Sequence, residues 1–241
     1  MQQRPSLRYI QLQSNNNEQP EATRHTASAL VWRDDGPNQV SPNDIDMIGE
    51  LSWRVQQAIW FVLPVGIAGL LHVAVMKLDL LPALGRLPLD GGLRLRGRRV
   101  FGDNKTVRGA LVMSIATPLI ASLLSAGFGV LAERLAVAPF QVDHPAVWGL
   151  LLGAGYWIGE LPNSLAKRQL DIAPGDLAAG ARGVFFWFVD QLDSIAGVFV
   201  ALSVVWRPDF GFVALVAAIT LVLHPLMAAL MVTLRLKHRI G

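Results

Sequence analysis

The chain is organised around residues 87–109, LPLDGGLRLRGRRVFGDNKTVRG, a basic and glycine-rich stretch between two long apolar segments. Glycines let the backbone approach a ligand closely, and arginine and lysine side chains bind phosphate through charge-assisted hydrogen bonds. Both kinds of residue recur here at short intervals, at Gly91, Gly92, Gly97, Gly102, Gly109, Arg94, Arg96, Arg98, Arg99, Lys105 and Arg108. Two carboxylates, Asp90 and Asp103, interrupt the cations. The stretch therefore predicts a loop that binds phosphate.

Membrane topology is the alternative explanation of the cations in this loop. Lysine and arginine cluster in the short cytoplasmic connections of membrane proteins, whatever those proteins do. Topology does not account for residues 102–106, GDNKT, where turn-forming residues, a carboxylate, an ammonium group and a hydroxyl lie side by side. The spacing GxxxxGKS/T is absent, so the loop does not predict a P-loop nucleotide-binding fold.

The composition predicts an all-α, polytopic integral membrane protein. Of the 241 residues, 52% are hydrophobic and 16% are charged, and the apolar runs reach the roughly 20 residues that cross a bilayer as a helix. We predict about five transmembrane helices, near residues 55–76, 110–131, 146–166, 184–205 and 212–234. A polar, disordered tail is predicted for residues 1–50, ahead of a transmembrane domain over residues 51–241. The absence of cysteine excludes disulfides and thiolate chemistry.

The distribution of basic residues predicts the orientation in the membrane. The net charge is +3 and lies in the connections, so it does not predict a nucleic-acid-binding surface. Seven lysine and arginine residues occur within residues 82–109, whereas the opposite connections carry only Arg134 and Arg207. By the positive-inside rule, the basic loop and the C-terminus lie in the cytoplasm of a cell-membrane protein, and the N-terminus lies outside.

Polar residues recur at helical spacing in the third and fourth predicted spans, and a charged stripe inside a bilayer must face protein or water. In the third span these residues are Glu160, Asn163, Ser164 and Lys167. In the fourth span, Asp190 and Asp193 lie one helical turn apart and predict a site for Mg²⁺, which prefers carboxylate oxygens. The alternative is a salt bridge to a nearby cation, namely Lys167, Arg168 or Arg182.

The basic loop resembles that of the CDP-archaeol synthase family, membrane cytidylyltransferases related to CDP-diacylglycerol synthases. The family's loop reads approximately as Asp-Gly-Gly, a basic Gly-Arg-Arg stretch, and then Gly-Asp-x-Lys-Thr-x-Arg-Gly. The matching positions in this sequence are Asp90, Gly91, Gly92, Gly97, Arg98, Arg99, Gly102, Asp103, Lys105, Thr106, Arg108 and Gly109.

Two further motifs of the family follow in the same order, and the resemblance covers roughly residue 51 to the C-terminus. One motif is a Gly-acid pair, a Ser-x-x-Lys-Arg run and a Pro-Gly turn, here at residues 159–160, 164–168 and 174–175; the other is DQLD at residues 190–193. Glu160 stands where the family usually has aspartate, and its side chain is one methylene longer. The link from the Pro-Gly turn to DQLD is also longer than usual.

The resemblance implies a CTP-dependent cytidylyltransferase that converts a membrane lipid phosphate, archaetidic acid-like or phosphatidic acid, to a CDP-activated lipid and pyrophosphate. The implied ligands of Mg²⁺ are Asp190 and Asp193, with Glu160 as a further candidate. Together with the two aspartates, the expected catalytic residues are Lys105, Arg108, Lys167 and Arg168, which would bind the triphosphate. The expected substrate-binding residues are Asp90, Gly91, Gly92, Arg98, Arg99, Gly102, Asp103, Asn104, Thr106, Asn163 and Ser164.

Two other functional classes are open on the sequence. A membrane transporter or channel for an anionic solute would also place arginines along a vestibule, although no internal repeat is convincing. A non-catalytic membrane scaffold would leave Asp190 and Asp193 unexplained.

Overall fold

The computed structural model describes residues 42–176 and 178–235. Within this part of the chain the elements are α1 (Pro42–Lys77), α2 (Pro82–Gly85), β1 (Arg94–Leu95), β2 (Arg98–Arg99), α3 (Val107–Phe128), α4 (Val130–Leu135), α5 (Pro139–Asp143), α6 (Pro145–Gln169), α7 (Ala181–Leu202) and α8 (Phe210–Thr233). The predicted tail lies outside the described residues as far as residue 41, and residues 42–50 already belong to α1. Proline is favourable at residue 42, where α1 begins, because a backbone N–H in the first turn of a helix has no helical partner and proline lacks that N–H.

Four of the described helices are long and apolar enough to cross a membrane: Gly49–Lys77 of α1, α3, α7 and α8. α6 corresponds to the third predicted span and has 25 residues, about 37 Å of helix. It is less apolar than the others because it carries Glu160, Lys167 and Arg168 and packs between α3 and α7. The predicted all-α, polytopic membrane fold is confirmed, with α6 as the central helix of the bundle.

Glycines allow α6 to pack closely against both of its neighbours. A Cβ atom on Gly153 would lie 2.3 Å from a backbone oxygen of α3. On the other face, a Cβ atom on Gly197 of α7 would lie 2.3 Å from the carbonyl oxygen of Gly155, and Gly159 is packed almost as closely. Small residues let membrane helices approach until their backbones touch. The polar residues of α6 and α7 are thereby brought face to face.

We expect Gly197→Ala to lower the free energy of unfolding by about 1–3 kcal/mol, the usual cost of overpacking, because the added methyl group meets the α6 backbone. The measurement is the apparent melting temperature of the purified protein in detergent. Gly127→Ala in α3 is the matched control, since nothing lies within 4 Å of an added Cβ there. Equal melting temperatures for the two variants would contradict the close packing of α6 on α7.

An aromatic cluster fixes the helices at the end of the bundle away from the basic loop. Phe61 of α1 stacks on Phe199 of α7 at a centroid distance of 5.5 Å and meets Phe212 of α8 edge-on at 5.5 Å. Phe212 and Val216 are buried, whereas none of the described α8 residues after Val216 is buried. α8 is therefore anchored in its first half and packs loosely in its second half, which reaches the level of the basic loop.

Candidate active site

An open cavity lies where the basic loop meets α6, α7 and α8. Its volume is about 160 Å³. Of the residues predicted from the sequence, those that line it are Asn104, Lys105, Glu160, Asn163, Ser164, Lys167, Arg168, Asp190 and Asp193. The basic loop, α6 and α7, which are distant in the chain, thus contribute predicted residues to one site.

An amide of α6 joins the two aspartates of α7. Asn163 Nδ2 donates a hydrogen bond to Asp190 Oδ1 at 2.6 Å and another to Asp193 Oδ2 at 2.7 Å. Lys167, one turn further along α6, forms an ion pair with Asp190. These contacts offset the cost of placing carboxylates inside a bilayer.

Lys105 reaches from the loop to Glu160 on α6, and the two side chains form an ion pair. Ser194 Oγ donates a hydrogen bond to the other Glu160 oxygen at 3.1 Å. Burial alone would lower the pKa of Lys105, but the carboxylates of Glu160, Asp193 and Asp190 together outweigh burial and raise that pKa. Lys105 is therefore a cation at the edge of the cavity.

Arg168 is the cavity's cation without a carboxylate partner among the described residues. The residue is 8% exposed, and its Nε and Nη1 atoms find no hydrogen-bond acceptor in the described part of the chain. Buried polar groups without partners cost free energy. An anion bound in the cavity would satisfy these N–H groups.

Asp90 orders the basic loop from within. Its side chain is fully buried and accepts hydrogen bonds from Arg99 and from the backbone N–H groups of Gly92, Phe101 and Gly102, at 2.7–3.4 Å. Although burial alone would raise the pKa of Asp90, these donors hold it well below its ordinary value. Asp90 is therefore engaged inside the loop and does not line the cavity.

We expect Asp90→Asn to destabilise the loop by about 1–3 kcal/mol, because a neutral amide replaces the carboxylate that Arg99 contacts. The measurement is the rate of tryptic cleavage after Arg94 and Arg96, which are exposed in the hairpin that the antiparallel strands β1 and β2 form. Asp103→Asn is the matched control, since Asp103 also contacts Arg99 but its side chain is 82% exposed. Equal cleavage of the two variants would contradict the role of Asp90.

The same contacts predict a pH dependence. Because the pKa of Asp90 is lowered in the folded protein, its stabilising contribution is complete above the pKa of a free aspartate, about 4. The contribution is lost as the pH falls below that value towards the lowered pKa. We expect cleavage of the loop by pepsin, which is active at acid pH, to rise between pH 5 and pH 3 more in the wild type than in Asp90→Asn.

The two arginines that precede GDNKT hold the loop together. Arg99 pairs with Asp90 and Asp103 at 2.7 Å each. Arg98 pairs with Asp171, beyond the end of α6. Both were expected to bind substrate, and the structure places both outside the cavity lining.

Backbone geometry explains most of the remaining loop residues. Thr106 precedes α3, and its Oγ1 accepts a hydrogen bond from the Gly109 N–H at 3.3 Å, so it caps the helix. Gly91, Gly92 and Gly102 have positive φ angles of 55°, 86° and 96°. Residues with a Cβ atom rarely adopt such angles, whereas glycine does so readily. None of these expected substrate-binding residues lines the cavity in the described structure.

Arg108 lies apart from Lys105 and outside the cavity. Its Nη1 donates hydrogen bonds to Asp79 at 3.3 Å and to the Leu80 carbonyl at 3.2 Å, and its guanidinium packs on Gly85. Arg108 was expected to bind the triphosphate together with Lys105, and the structure does not bring the two side chains together in the cavity. α3 begins between the two residues, at Val107, and Arg108 consequently faces α2.

Several cavity residues were not recognised as site residues from the sequence. They are Gly175, Asp176, Trp187, Gln191, His224, Pro225 and Ala228. Gly175 and Gln191 belong to motifs that were noticed, so the signal was present. His224 had a weaker signal, as the one ionisable residue in the apolar sequence of α8. Trp187 and Ala228 gave no signal in the sequence, since aromatic and small residues are common in membrane spans.

The carboxylates offer a partial metal site. Among the described residues, no group of three His, Asp or Glu side chains is arranged to hold a metal ion. Asp190 and Asp193 do present hard oxygen donors that Asn163 holds together. Mg²⁺ is commonly bound by one or two carboxylates together with substrate phosphates and water. The donor set fits a divalent cation that arrives with a phosphate ligand.

Comparison with known proteins agrees with the sequence motifs. A family model for CDP-archaeol synthase matches residues 53–239. A CDP-archaeol synthase of Halobacterium salinarum is 34% identical over 186 residues, which cover 75% of this chain and 91% of that protein. One from Methanopyrus kandleri is 29% identical over 196 residues, covering 79% of this chain and 96% of that protein.

A solved structure is also similar. It is described as an intramembrane enzyme for archaeal membrane lipids biosynthesis, and it matches with a TM-score of 0.51 and 27% identity, covering 72% of this chain and 92% of that one. Sequence and fold therefore agree over most of the described residues. The chain belongs to the CDP-archaeol synthase family and is an integral membrane nucleotidyltransferase.

Proposed function

We propose that the protein transfers the cytidylyl group of CTP to a membrane lipid phosphate, which gives a CDP-activated lipid and pyrophosphate. The name of the relatives indicates an archaeol-based product, so archaetidic acid is the acceptor we expect first and phosphatidic acid is the alternative. The observation that carries the proposal is the cavity, which combines three cations and four carboxylates within a membrane helix bundle.

The reaction joins two phosphates directly. An oxygen of the lipid phosphate bonds to the α-phosphorus of CTP while the bond between that phosphorus and the oxygen bridging to the β-phosphate breaks. The lipid phosphate is already an anion at pH 7, so no general base is assigned. Such a transfer depends mainly on positioning and charge neutralisation, which are what this cavity offers.

The cations of the cavity bind the triphosphate in this proposal. Arg168 has buried N–H groups without acceptors among the described residues, and guanidinium groups bind phosphate in a bidentate manner. Lys105 and Lys167 exchange Glu160 and Asp190 for phosphate oxygens when the nucleotide enters. The cavity-lining polar groups of Asn104 and Ser164 add hydrogen bonds.

Asp190 and Asp193 would hold Mg²⁺ in this proposal, since the ion is commonly bound by one or two carboxylates. Bound Mg²⁺ supplies positive charge that neutralises the triphosphate and the leaving pyrophosphate. Movement of Lys167 from Asp190 to phosphate frees the Asp190 carboxylate for the ion, and Asn163 keeps the two aspartates together. Glu160 remains a secondary candidate, because it is already engaged by Lys105 and Ser194.

We also propose that the cavity opens to the cytoplasm, where the basic loop is expected and CTP is made. The hydrogen bond from Lys77 Nζ to the Leu234 carbonyl, at 2.9 Å, ties the C-terminal ends of α1 and α8 together at this side. Arg96→Cys can be labelled without background because the chain has no cysteine. Labelling in intact spheroplasts, instead of in inverted vesicles, would contradict this orientation.

The proposal is tested with purified protein, CTP, Mg²⁺ and a panel of acceptors: archaetidic acid, phosphatidic acid and a neutral diether lipid as the control. We expect a CDP-lipid and an equal amount of pyrophosphate with at least one lipid phosphate and none with the neutral lipid. Mass spectrometry identifies the product. No CDP-lipid from any acceptor would contradict the proposed function.

A further inference from the structure

His224 is a polar residue that the proposed chemistry does not use. It is the one ionisable side chain in the sequence of α8, and it lines the cavity together with Pro225 and Ala228. Its neighbours Val222 and Leu226 are 61% and 60% exposed and face outward, towards lipid. An ionisable side chain is costly within a bilayer unless it faces protein or water. His224 meets this condition by facing the cavity.

His224 makes no side-chain hydrogen bond or ion pair with another residue in the described part of the chain. Two other ionisable groups of the cavity differ in this respect, since Lys105 and Lys167 form ion pairs with Glu160 and Asp190. A structural role in joining helices would require such a contact. The imidazole is therefore available to a ligand in the cavity.

The wall that carries His224 is the one through which a lipid can enter. The opposite walls belong to the loop and to α6 and α7, whose backbones touch at Gly155 and Gly197. α8 is anchored by Phe212 and Val216, and none of its described residues beyond these is buried. A headgroup whose chains remain in the bilayer thus approaches the cavity across the second half of α8.

We propose that His224 binds the phosphate headgroup of the acceptor lipid, an inference that rests on the proposed function and names its acceptor subsite. The imidazole donates an N–H to a phosphate oxygen in either its neutral or its charged form. Lys105, Lys167 and Arg168 serve the nucleotide on the loop and α6 side of the cavity. His224 positions the attacking lipid phosphate from the α8 side, so the two substrates meet between them.

The test compares His224→Gln and His224→Leu with the wild type in nanodiscs, using CTP and dioctanoyl phosphatidic acid or its archaetidic counterpart. We expect His224→Leu to raise KM for the lipid phosphate about 10-fold to 100-fold, the effect of one lost charge-assisted hydrogen bond. His224→Gln keeps an N–H donor and should raise it less, and KM for CTP should be unchanged in both variants. His72→Asn is the control, since His72 lies in another span and does not line the cavity. An unchanged KM for the lipid, or an equal rise for CTP, overturns the inference.

A second measurement does not depend on the stability of the His224 variants. Ala228 lines the cavity one turn from His224, and Ala228→Cys adds one thiol to a chain without cysteine. We expect the short-chain lipid phosphate to slow its modification by a small thiol reagent, and the neutral lipid not to. Equal modification overturns the inference. If the wild type makes no CDP-lipid at all, the proposed function itself is wrong. If the wild type is active but the His224 variants bind the lipid normally, only the inference about His224 is wrong.

Discussion

Asp193→Asn is expected to lower kcat by about 100-fold or more, the scale seen when a preorganised electrostatic contact to the reacting charge is removed. The amide keeps the size of the side chain but removes the charge that, in our proposal, binds Mg²⁺ beside Asp190. In the wild type, Asn163 Nδ2 donates a hydrogen bond to Asp193 Oδ2 at 2.7 Å. The variant places an NH₂ group or a neutral oxygen against the same nitrogen. Turnover of CTP to CDP-lipid is the measurement.

Asp103→Asn is the control for this variant, because the same chemical change falls on a side chain that is 82% exposed and outside the cavity lining. Mg²⁺ is titrated for both variants and for the wild type. Normal turnover by Asp193→Asn, or full wild-type turnover in EDTA, would remove the metal assignment. A loss that excess Mg²⁺ partly restores would support it.

Lys167→Ala is expected to have the second large effect. Lys167 is 12% exposed and paired with Asp190, so its removal takes away a phosphate ligand and also leaves a carboxylate without its counter-ion. We expect KM for CTP to rise, or kcat to fall, by more than about tenfold, since one hydrogen bond to a charged group contributes about 1.5–3 kcal/mol.

Arg235→Ala is the matched control for Lys167→Ala, because Arg235 is an exposed cation beyond the end of α8 and its expected role is in membrane orientation. Expression, melting temperature and CTP turnover are compared for both variants. Equal losses at the two positions would indicate a common defect in membrane insertion and would contradict a local role for Lys167 in binding phosphate.

The transmembrane helices and their polar faces could be predicted from the sequence. Long apolar runs form helices in a bilayer because the backbone must satisfy its own hydrogen bonds there, and the helix period places Asp190 and Asp193 on one face. The stripe from Glu160 to Lys167 follows the same rule. Both stripes face the cavity, as expected for charged groups that avoid lipid.

The arrangement of the basic loop could not be predicted in the same way. Periodicity does not apply within a loop, and the orientation of each side chain depends on contacts with residues far away in the chain. Lys105 turns towards Glu160, 55 positions later, whereas Arg108, three positions on, turns towards Asp79. The sequence predicted Asp90 as a substrate-binding residue. Its hydrogen bonds inside the loop form only in the folded turn, so the sequence alone does not reveal them.

The contribution of α8 to the cavity could not be predicted from the sequence either, for a different reason. A histidine in an apolar span is compatible with a helix contact or with a site, and only the packing of α8 shows which side it faces. His224 faces the cavity because the first half of α8 is fixed by Phe212 and Val216. The fold of one end of the bundle thus determines which residue reaches the site at the other.

Nucleotide protection of Asn104→Cys tests most directly whether this cavity is where CTP binds. Asn104 lines the cavity beside Lys105, and the introduced thiol is the sole one in the chain. We predict that CTP with Mg²⁺ slows labelling of Asn104→Cys by a maleimide and leaves Arg94→Cys, in the exposed hairpin, unchanged. Labelling of Asn104→Cys that is indifferent to CTP and Mg²⁺, in protein that still forms CDP-lipid, would contradict the assignment of this cavity as the active site.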